Sequence, residues 1–218
     1  MDLLSSDIAG FAGVETREYP AGQPLCPVER LRQLHLWVVR GGIALEARVE
    51  RGSRSILEVF GPGSSLEPRH WEASVGSEWQ ILALLATATL ELPIELVRQQ
   101  LSERPSLAVT LASQRAYQHG RSLDRLAVLR LRDPLRRAAG ALLQLVERLG
   151  APGRSARGSQ LELTQHLIAA FADLSRQTTN RQLRRLAAAQ LVELQRGLVS
   201  VWDVAALADV AAGRRELR

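Results

Sequence analysis

Five side chains that carry hydrogen-bond donors lie close together between residues 176 and 184: Arg176, Gln177, Asn180, Arg181 and Arg184. On a helix, this spacing places them on one face. Arginine can donate two hydrogen bonds to the O6 and N7 atoms of guanine, and Asn or Gln can pair in the same bidentate way with adenine. The spacing therefore favours a helix that reads base pairs in a major groove. The alternative is a solvated basic face with no ligand.

The residues around this face predict two short helices joined by a turn. Thr164 and Ser175 are suited to cap helix amino termini, and residues 173–174 suit the turn between them. The residues expected to face inward are Leu167, Ile168 and Phe171 on the first helix, and Thr179, Leu183, Leu186 and Ala187 on the second. This pattern is typical of a helix-turn-helix, with a recognition helix at residues 175–189.

The run SRQTTNR at residues 175–181 resembles the S-R-x-T-x-x-R signature of the recognition helix in the CRP/FNR superfamily, the bacterial regulators related to the catabolite activator protein. Residues 191–202 alternate around Gly197 like the wing of a winged helix, and a last helix is expected after Asp203. The DNA contacts that the resemblance implies are Thr164, Gln165, His166, Ser175, Arg176, Gln177, Thr179, Asn180, Arg181 and Arg184. Of these, Gln165 and His166 are expected to touch the DNA backbone.

The amino-terminal half predicts a small β-roll or jelly roll. From Tyr19 to about Leu92, short alternating segments are broken by glycine and proline. The stretches YPAGQPL and LHLWVVRGGIAL resemble the first repeats of a cyclic-nucleotide-binding-like β-roll. The fold class expected is α+β: this β-roll, a long dimerisation helix, and a carboxyl-terminal winged helix-turn-helix.

A long helix is predicted to begin at Pro105 and to run to Arg132, because proline is tolerated at the first helical position and none occurs from Ser106 to Arg132. Apolar residues recur in it at roughly heptad spacing, at Val109, Ala112, Ala116, Leu123 and Leu126. A domain of this size cannot bury so long a helix alone, so a parallel coiled coil between two copies is expected. The segment from His119 to Arg121 interrupts the seam, either as a point where the two helices shift or as a plain imperfection.

Asp133 and Pro134 have the residue types that end one helix and cap the next. Leu135, Ala138, Ala139, Leu142, Leu143 and Val146 would form the buried face of that next helix. The resemblance places the hinge between sensor and DNA-binding domains at Asp133. It implies a β-roll domain at residues 1–104, a dimerisation helix at 105–132 and a winged helix-turn-helix domain at 133–218.

In the family that the chain resembles, a pocket in the β-roll holds cyclic AMP. The corresponding residues of this chain depart from the pattern of that pocket. The Arg-Ser pair that meets the phosphate becomes Ser77 and Glu78, and the Gly-Glu pair falls near Glu67. A carboxylate near a phosphate costs on the order of 1–4 kcal/mol at 4 Å. The adenine contacts map to Ser122 and Leu123, so one of the two is lost.

Cyclic AMP is therefore not expected, and no cofactor is predicted. Four alternatives for the effector remain open: cyclic di-GMP, haem, an aromatic acid, or no ligand at all. Arg69 could meet a phosphate from another direction or lie solvated at the surface. His70 would be the first haem ligand to test, and His35, His119 and Cys26 supply the other soft donors.

The distribution of charge separates the two halves of the chain. All 28 cationic side chains are arginine, 9 against 13 carboxylates in residues 1–100 and 19 against 10 in residues 101–218. The carboxyl-terminal half is therefore the half expected to bind a polyanion. DNA, RNA and anionic lipid are all negatively charged, so the charge alone does not distinguish among them. The resemblance favours double-stranded DNA with an inverted-repeat operator, and it implies RNA polymerase as a further partner.

Little in the residues supports an enzyme. A cupin-type metal site has His-x-His spacing, which is absent among the four histidines, His35, His70, His119 and His166. The G-x-S-x-G nucleophile motif, the P-loop and the dinucleotide-binding fingerprint do not occur either. Cys26 is the sole cysteine, which excludes an internal disulfide or a four-cysteine cluster within one chain. No signal peptide or membrane-length apolar run is found, and a soluble cytoplasmic regulator is expected.

Overall fold

A computed structural model of the 218-residue chain describes residues 13–25, 30, 33–48, 54–67, 78–152 and 158–217. The chain divides into two compact units, Met1–Ser53 with Glu58–Ser122, and Arg54–Leu57 with Leu123–Arg218. The α+β architecture expected from the sequence is confirmed. Three of the predicted features lie outside the described residues: Cys26, Arg69–His70 and Ser77.

The first unit is built on two antiparallel sheets. The strands of these sheets are β1 (Glu15–Tyr19), β2 (Leu34–Arg40), β3 (Ile43–Arg48), β4 (Arg54–Phe60), β5 (Ser65–Leu66), β6 (Glu78–Ala83) and β7 (Thr87–Pro93). Residues 54–57 of β4 are counted with the second unit. One sheet has the order β1-β7-β2-β5 and the other the order β4-β3-β6. The strand at Glu15–Tyr19 was not expected, because its sequence ETREY lacks an apolar alternation and only Tyr19 is buried.

Strand alternation gives the β2–β7 sheet two buried faces. Leu36 and Val38 join a core cluster with Tyr19, Ile43 and Leu66. Trp37, on the opposite side of the same strand, packs with Leu90 and Leu92 and with half-buried residues that include Val97 and Leu111. A strand that is buried on both sides reads as a continuous apolar run, as LHLWVV does.

The turn between β2 and β3 depends on Gly41, which has φ +77°. A Cβ atom at this position would lie 2.4 Å from the carbonyl oxygen of Ala86. The hydroxyl of Thr87 closes the same turn, since it accepts from the amide of Gly42 at 3.0 Å and donates to the carbonyl of Gly42 at 2.9 Å. The turn at Gly41 and Gly42 therefore requires glycine at position 41.

Helices occupy most of the rest of the chain. They are α1 (Ile94–Glu103), α2 (Pro105–Leu129), α3 (Pro134–Leu149), α4 (Gln165–Ala172), α5 (Arg176–Ala188) and α6 (Val204–Ala212). The long helix α2 starts at Pro105 as predicted and ends at Leu129, three residues earlier than expected. No helix in the described part of the chain is long and apolar enough to cross a bilayer.

The second unit is a winged helix-turn-helix. Helices α3, α4, α5 and α6 pack with a sheet of order β10-β11-β9-β8, whose strands are β8 (Ala151–Pro152), β9 (Ser159–Leu161), β10 (Val192–Gln195) and β11 (Leu198–Val201). The wing predicted around Gly197 is confirmed. The segment before the helix-turn-helix contributes two of these strands, because Ala151 and Pro152 pair with Gln160 and Ser159.

Helix α3 begins at the predicted cap. The side chain of Asp133 accepts a hydrogen bond from the backbone N–H of Leu135 at 2.9 Å, and Pro134 occupies the first helical position. The buried face differs from the expected one. Leu143 and Val146 are half-buried, whereas the buried set adds Gly140, Ala141, Gln144, Leu145 and Arg148. The packing of α3 on several neighbours buries more of its circumference than an amphipathic stripe would.

His35 is a buried histidine of the β2–β7 sheet, with 3% of its surface exposed. Burial lowers the pKa of His35 from 6.5 to about 4, the charge of Arg115 lowers it as well, and Glu67 offsets part of the shift. The imidazole is therefore neutral in the folded protein at neutral pH.

We expect stability to fall as the pH drops from about 6.5 towards 4, because the unfolded chain binds a proton at His35 that the folded chain does not. Between pH 7 and pH 5 the free energy of unfolding should lose about 2 kcal/mol from this residue alone. Urea unfolding of the wild type and of His35→Leu at both pH values measures the difference. Equal losses in the two proteins would contradict this role.

Candidate nucleic-acid interface

Helix α4 supplies the first part of the interface. The hydroxyl of Thr164 accepts from the backbone N–H of Leu167 at 3.3 Å, which confirms the predicted cap. The buried face consists of Ile168, Ala169, Phe171 and Ala172. Leu167, which was expected to face inward, is half-buried. The amino terminus of α4 leaves His166 exposed and Gln165 half-buried.

The turn after α4 has the expected position and a less common backbone conformation. Asp173 adopts a left-handed conformation with φ 51° and ψ 48°, a region that glycine occupies most easily and that Asp and Asn tolerate. The backbone N–H groups of Asp173 and Leu174 both bond to the carbonyl of Ala169. The chain thereby reverses and starts the next helix at Ser175.

Ser175 caps the recognition helix α5. Its hydroxyl accepts from the backbone N–H of Thr178 at 3.1 Å and donates to the hydroxyl of Thr178 at 2.8 Å. A serine or threonine hydroxyl at this position satisfies an amide that the helix leaves without an internal partner. The predicted start of the recognition helix is confirmed, and Thr178, which was not among the expected site residues, shares the cap.

Most of the inner face of α5 is buried. Thr179, Leu183 and Leu186 each have 0% exposed surface, and Ala187 is half-buried. Thr179 was expected among the DNA contacts as well as in this stripe, and burial removes it from the contact set. Its side chain packs in the buried stripe with Leu183 and Leu186, and its hydroxyl has no hydrogen-bond partner within the described residues.

The outer face of α5 presents the predicted donors. Arg176, Gln177, Arg181 and Arg184 are exposed, and no hydrogen bond or ion pair engages the three guanidinium groups within the part of the chain that the structure describes. The open depression along this face is lined by Arg176, Gln177, Asn180, Arg181, Arg184, Arg185 and Ala188. Four guanidinium groups on one helix face suit a polyanion with base edges within reach.

Asn180 differs from the other predicted base readers. It is half-buried, and its Nδ2 donates to Oε1 of Gln165 at 2.5 Å, which ties α5 to the start of α4. Arg185 was not among the predicted site residues, although it immediately follows Arg184. Its guanidinium donates to the carbonyl of Leu217 at 2.8 Å and to Oε1 of Gln182 at 3.3 Å.

The predicted effector residues are distributed over the first unit and the long helix. Glu67 is half-buried and forms an ion pair with Arg115 of α2 at 2.5 Å. The hydroxyl of Ser122 donates to Oε2 of Glu58 at 2.9 Å, and Leu123 is 52% exposed. Glu78 begins strand β6. Among the described residues, no group of three or more His, Cys, Asp or Glu could hold a metal ion.

Residues 136–210 match the family of the Crp-like helix-turn-helix domain, which spans α3 to α6. Over 207 residues, the chain is 28% identical to a cyclic AMP receptor protein of Thermus thermophilus, with 91% of this chain and 89% of that protein covered.

Over nearly its whole length the chain resembles regulators of the CRP/FNR superfamily, and its residues 136–210 carry the Crp-like helix-turn-helix. A solved CRP/FNR transcriptional regulator, also from Thermus thermophilus, is 25% identical, with a TM-score of 0.66 over 92% of this chain and 100% of that one. The cyclic di-GMP-responsive global regulator CLP of Xanthomonas campestris has the same fold, with a TM-score of 0.64, 18% identity and coverage of 91% and 97%.

The matched domain is a DNA-binding domain, and the proteins that the chain resembles are transcription regulators, in agreement with the expectation of a regulator rather than an enzyme. The Crp-like domain contains both helices of the helix-turn-helix and the wing. The exposed donor face of α5 thus lies on the second helix of the helix-turn-helix, the helix that enters the major groove in known domains of this type.

Proposed function

We propose that the chain is a homodimeric, sequence-specific regulator that reads an inverted-repeat operator through α5. The observation that supports this most directly is the row of unengaged arginine side chains on the outer face of a capped, well-packed helix. Such side chains break no ion pair when they turn to DNA, and a twofold pair of them would read half-sites about one helical turn apart. Such a regulator would act in the cytoplasm.

The base preferences follow from the side chains. Arg176 and Arg181 would donate to guanines in each half-site. Gln177 stands where the best-known members of the family carry Glu. Glutamate accepts from cytosine N4 whereas Gln pairs with adenine, so the operator should depart from the family's TGTGA at that step. Gln165 and His166, at the start of α4, would contact the DNA backbone and set the register.

The long helix supports dimerisation. Val109, Leu123 and Leu126 are 69%, 52% and 58% exposed in the chain alone, and Ala112 and Ala116 are exposed between them. These five positions follow a heptad pattern, and exposed apolar residues at such spacing suit a coiled coil with a second copy. His119 lies at the same heptad position as Ala112 and Leu126.

The chain departs most from its relatives at the residues that would contact an effector. Glu67 and Glu78 carry carboxylates where the resemblance places phosphate contacts, and the Ser122 hydroxyl already donates to Glu58. We therefore propose that cyclic AMP is not held in the manner of the family. The alternatives are a different effector, such as cyclic di-GMP, haem or a small aromatic acid, and control by abundance or by a protein partner, RNA polymerase included.

Arg176→Ala should weaken binding to the operator by about 1–3 kcal/mol and change binding to random DNA little, because the lost contact reads a base edge. Fluorescence anisotropy on an operator found by unbiased selection, and on a scrambled duplex of the same length, measures both. Arg98→Ala, which removes an exposed arginine of α1, is the matched control. An equal loss on both duplexes would remove the base-reading role.

Replacing Leu123 and Leu126 together by Glu should convert the protein to a monomer, because like charges from both copies would meet across the proposed seam. Sedimentation equilibrium measures the mass directly. Asp124→Ala, on the same helix away from the seam, should leave the dimer intact. A wild-type protein that is monomeric at all concentrations, or a double variant that remains dimeric, would refute the seam.

Titration calorimetry of the purified protein should show no binding of cyclic AMP up to about 1 mM, because the carboxylates repel the phosphate. Cyclic GMP and cyclic di-GMP belong in the same series, with an absorption scan for haem. Heat from cyclic di-GMP or a haem band would favour the ligand-sensing alternative, and no signal from any of them would favour control by abundance or a partner. Micromolar binding of cyclic AMP would overturn the proposal.

A further inference from the structure

Arg125 is the one fully buried residue of α2, which the structure describes along its whole length. Only 4% of its surface is exposed. A guanidinium group cannot lose its charge in a protein, so its burial is favourable only where its N–H groups find acceptors. What it binds is therefore a stronger indication of its role than the contacts of a surface arginine would be.

The guanidinium joins two separate stretches of backbone within the second unit. Nε donates to the carbonyl of Leu57 at 2.7 Å, and Nη2 donates to the carbonyl of Ile56. Nη1 donates to the carbonyl of Phe171 at 2.8 Å, and the guanidinium carbon lies 3.7 Å from the centre of the Phe171 ring. One planar side chain thus fixes Phe171 by both its carbonyl and its ring.

The position of Phe171 gives these contacts their significance. It lies in the last turn of α4, where helix carbonyls lack internal partners. The following turn bonds its two N–H groups to Ala169, which leaves the carbonyl of Phe171 to Arg125. Arg137 of α3 donates to the carbonyl of Asp173 at 3.2 Å. Two arginines therefore hold the end of α4 and the turn that leads to α5.

We propose that Arg125 is a positioning residue for base recognition. It touches no DNA, and it acts by fixing the end of α4, hence the turn and the angle at which α5 leaves it. This inference rests on the proposed function, since it assumes that α5 reads bases. It assigns a role in DNA reading to a residue of the long helix that the helix-turn-helix pattern does not include.

The expected effect is selective. A bidentate hydrogen bond to a base edge tolerates little change in the angle of the helix, whereas a contact between a mobile arginine and a phosphate tolerates more. Loosening α4 against α5 should therefore weaken binding to the operator much more than binding to unrelated DNA. The number of phosphate contacts, and with it the salt dependence, should stay the same.

The test compares Arg125→Met with the wild type at 10 °C, after circular dichroism has shown that each is fully folded. Met keeps the apolar length of the side chain and removes the donors. The affinity for the operator should fall by about tenfold or more, and that for a scrambled duplex by less than about threefold. Hydrogen exchange of the amides at residues 173–175 should accelerate in the variant without DNA.

Arg98→Met is the matched control, because it removes one exposed arginine of α1 and should leave all three measurements unchanged. If Arg125→Met does not fold, Arg125→Lys gives the same test, since a lysine ammonium keeps the charge but cannot reach three carbonyls and stack on the ring as a planar guanidinium does. We expect Lys to recover stability more than it recovers selectivity.

An unchanged ratio of operator to scrambled affinity in the folded variant would overturn the positioning role, as would unchanged exchange at the turn. A wild type without any preference between the two duplexes would instead refute the proposed base reading. The two failures are therefore distinguishable in one set of titrations.

Discussion

The interface depends on the burial of one stripe of α5 against the other helices of the winged helix-turn-helix. Leu183 and Leu186 are fully buried, and each contributes about 1.5–3 kcal/mol when it leaves water. Because a helix has two opposite faces, burial of this stripe forces Arg176, Arg181 and Arg184 outward. The outward face is then free to carry any donor pattern that the DNA requires, since its side chains add nothing to the core.

Arginine serves both inside and outside this unit. The guanidinium of Arg136 donates to the carbonyls of Ala211 and Ala212 at the end of α6, and Arg137 donates to Leu131 and Asp173. Carbonyls at helix ends and turns lack backbone partners, and the five N–H donors of arginine can satisfy several of them at once. The guanidinium donors that are proposed to read guanine on α5 are therefore of the same kind as those that bind the backbone behind it.

Residue types and spacing predicted the elements that follow local rules. Helix caps at Asp133, Thr164 and Ser175 appear where their side chains indicated, because capping depends on neighbours within three residues. Periodicity failed where tertiary packing decides burial. Gln144 and Arg148 are buried on α3 although they are polar, and Thr179 is buried on a face assigned partly to DNA.

Arg125 could not have been found from sequence, because its partners are backbone carbonyls more than forty residues away. Strand β1 was missed for a related reason: polar sequence forms a strand there because it pairs along β7 from Glu15 to Tyr19. At the positions where the resemblance implies effector contacts, the side chains depart from the family's pattern, but they carry no pattern that specifies another ligand.

The exposed apolar row on α2 has a quantitative consequence for gene control. With that row paired as proposed, only the two-chain form reads an operator, and at low abundance its concentration grows with the square of the chain's own. Promoter occupancy would then respond more steeply than linearly to synthesis and proteolysis. A cell could obtain a sharp transition from expression level alone, with no small molecule involved.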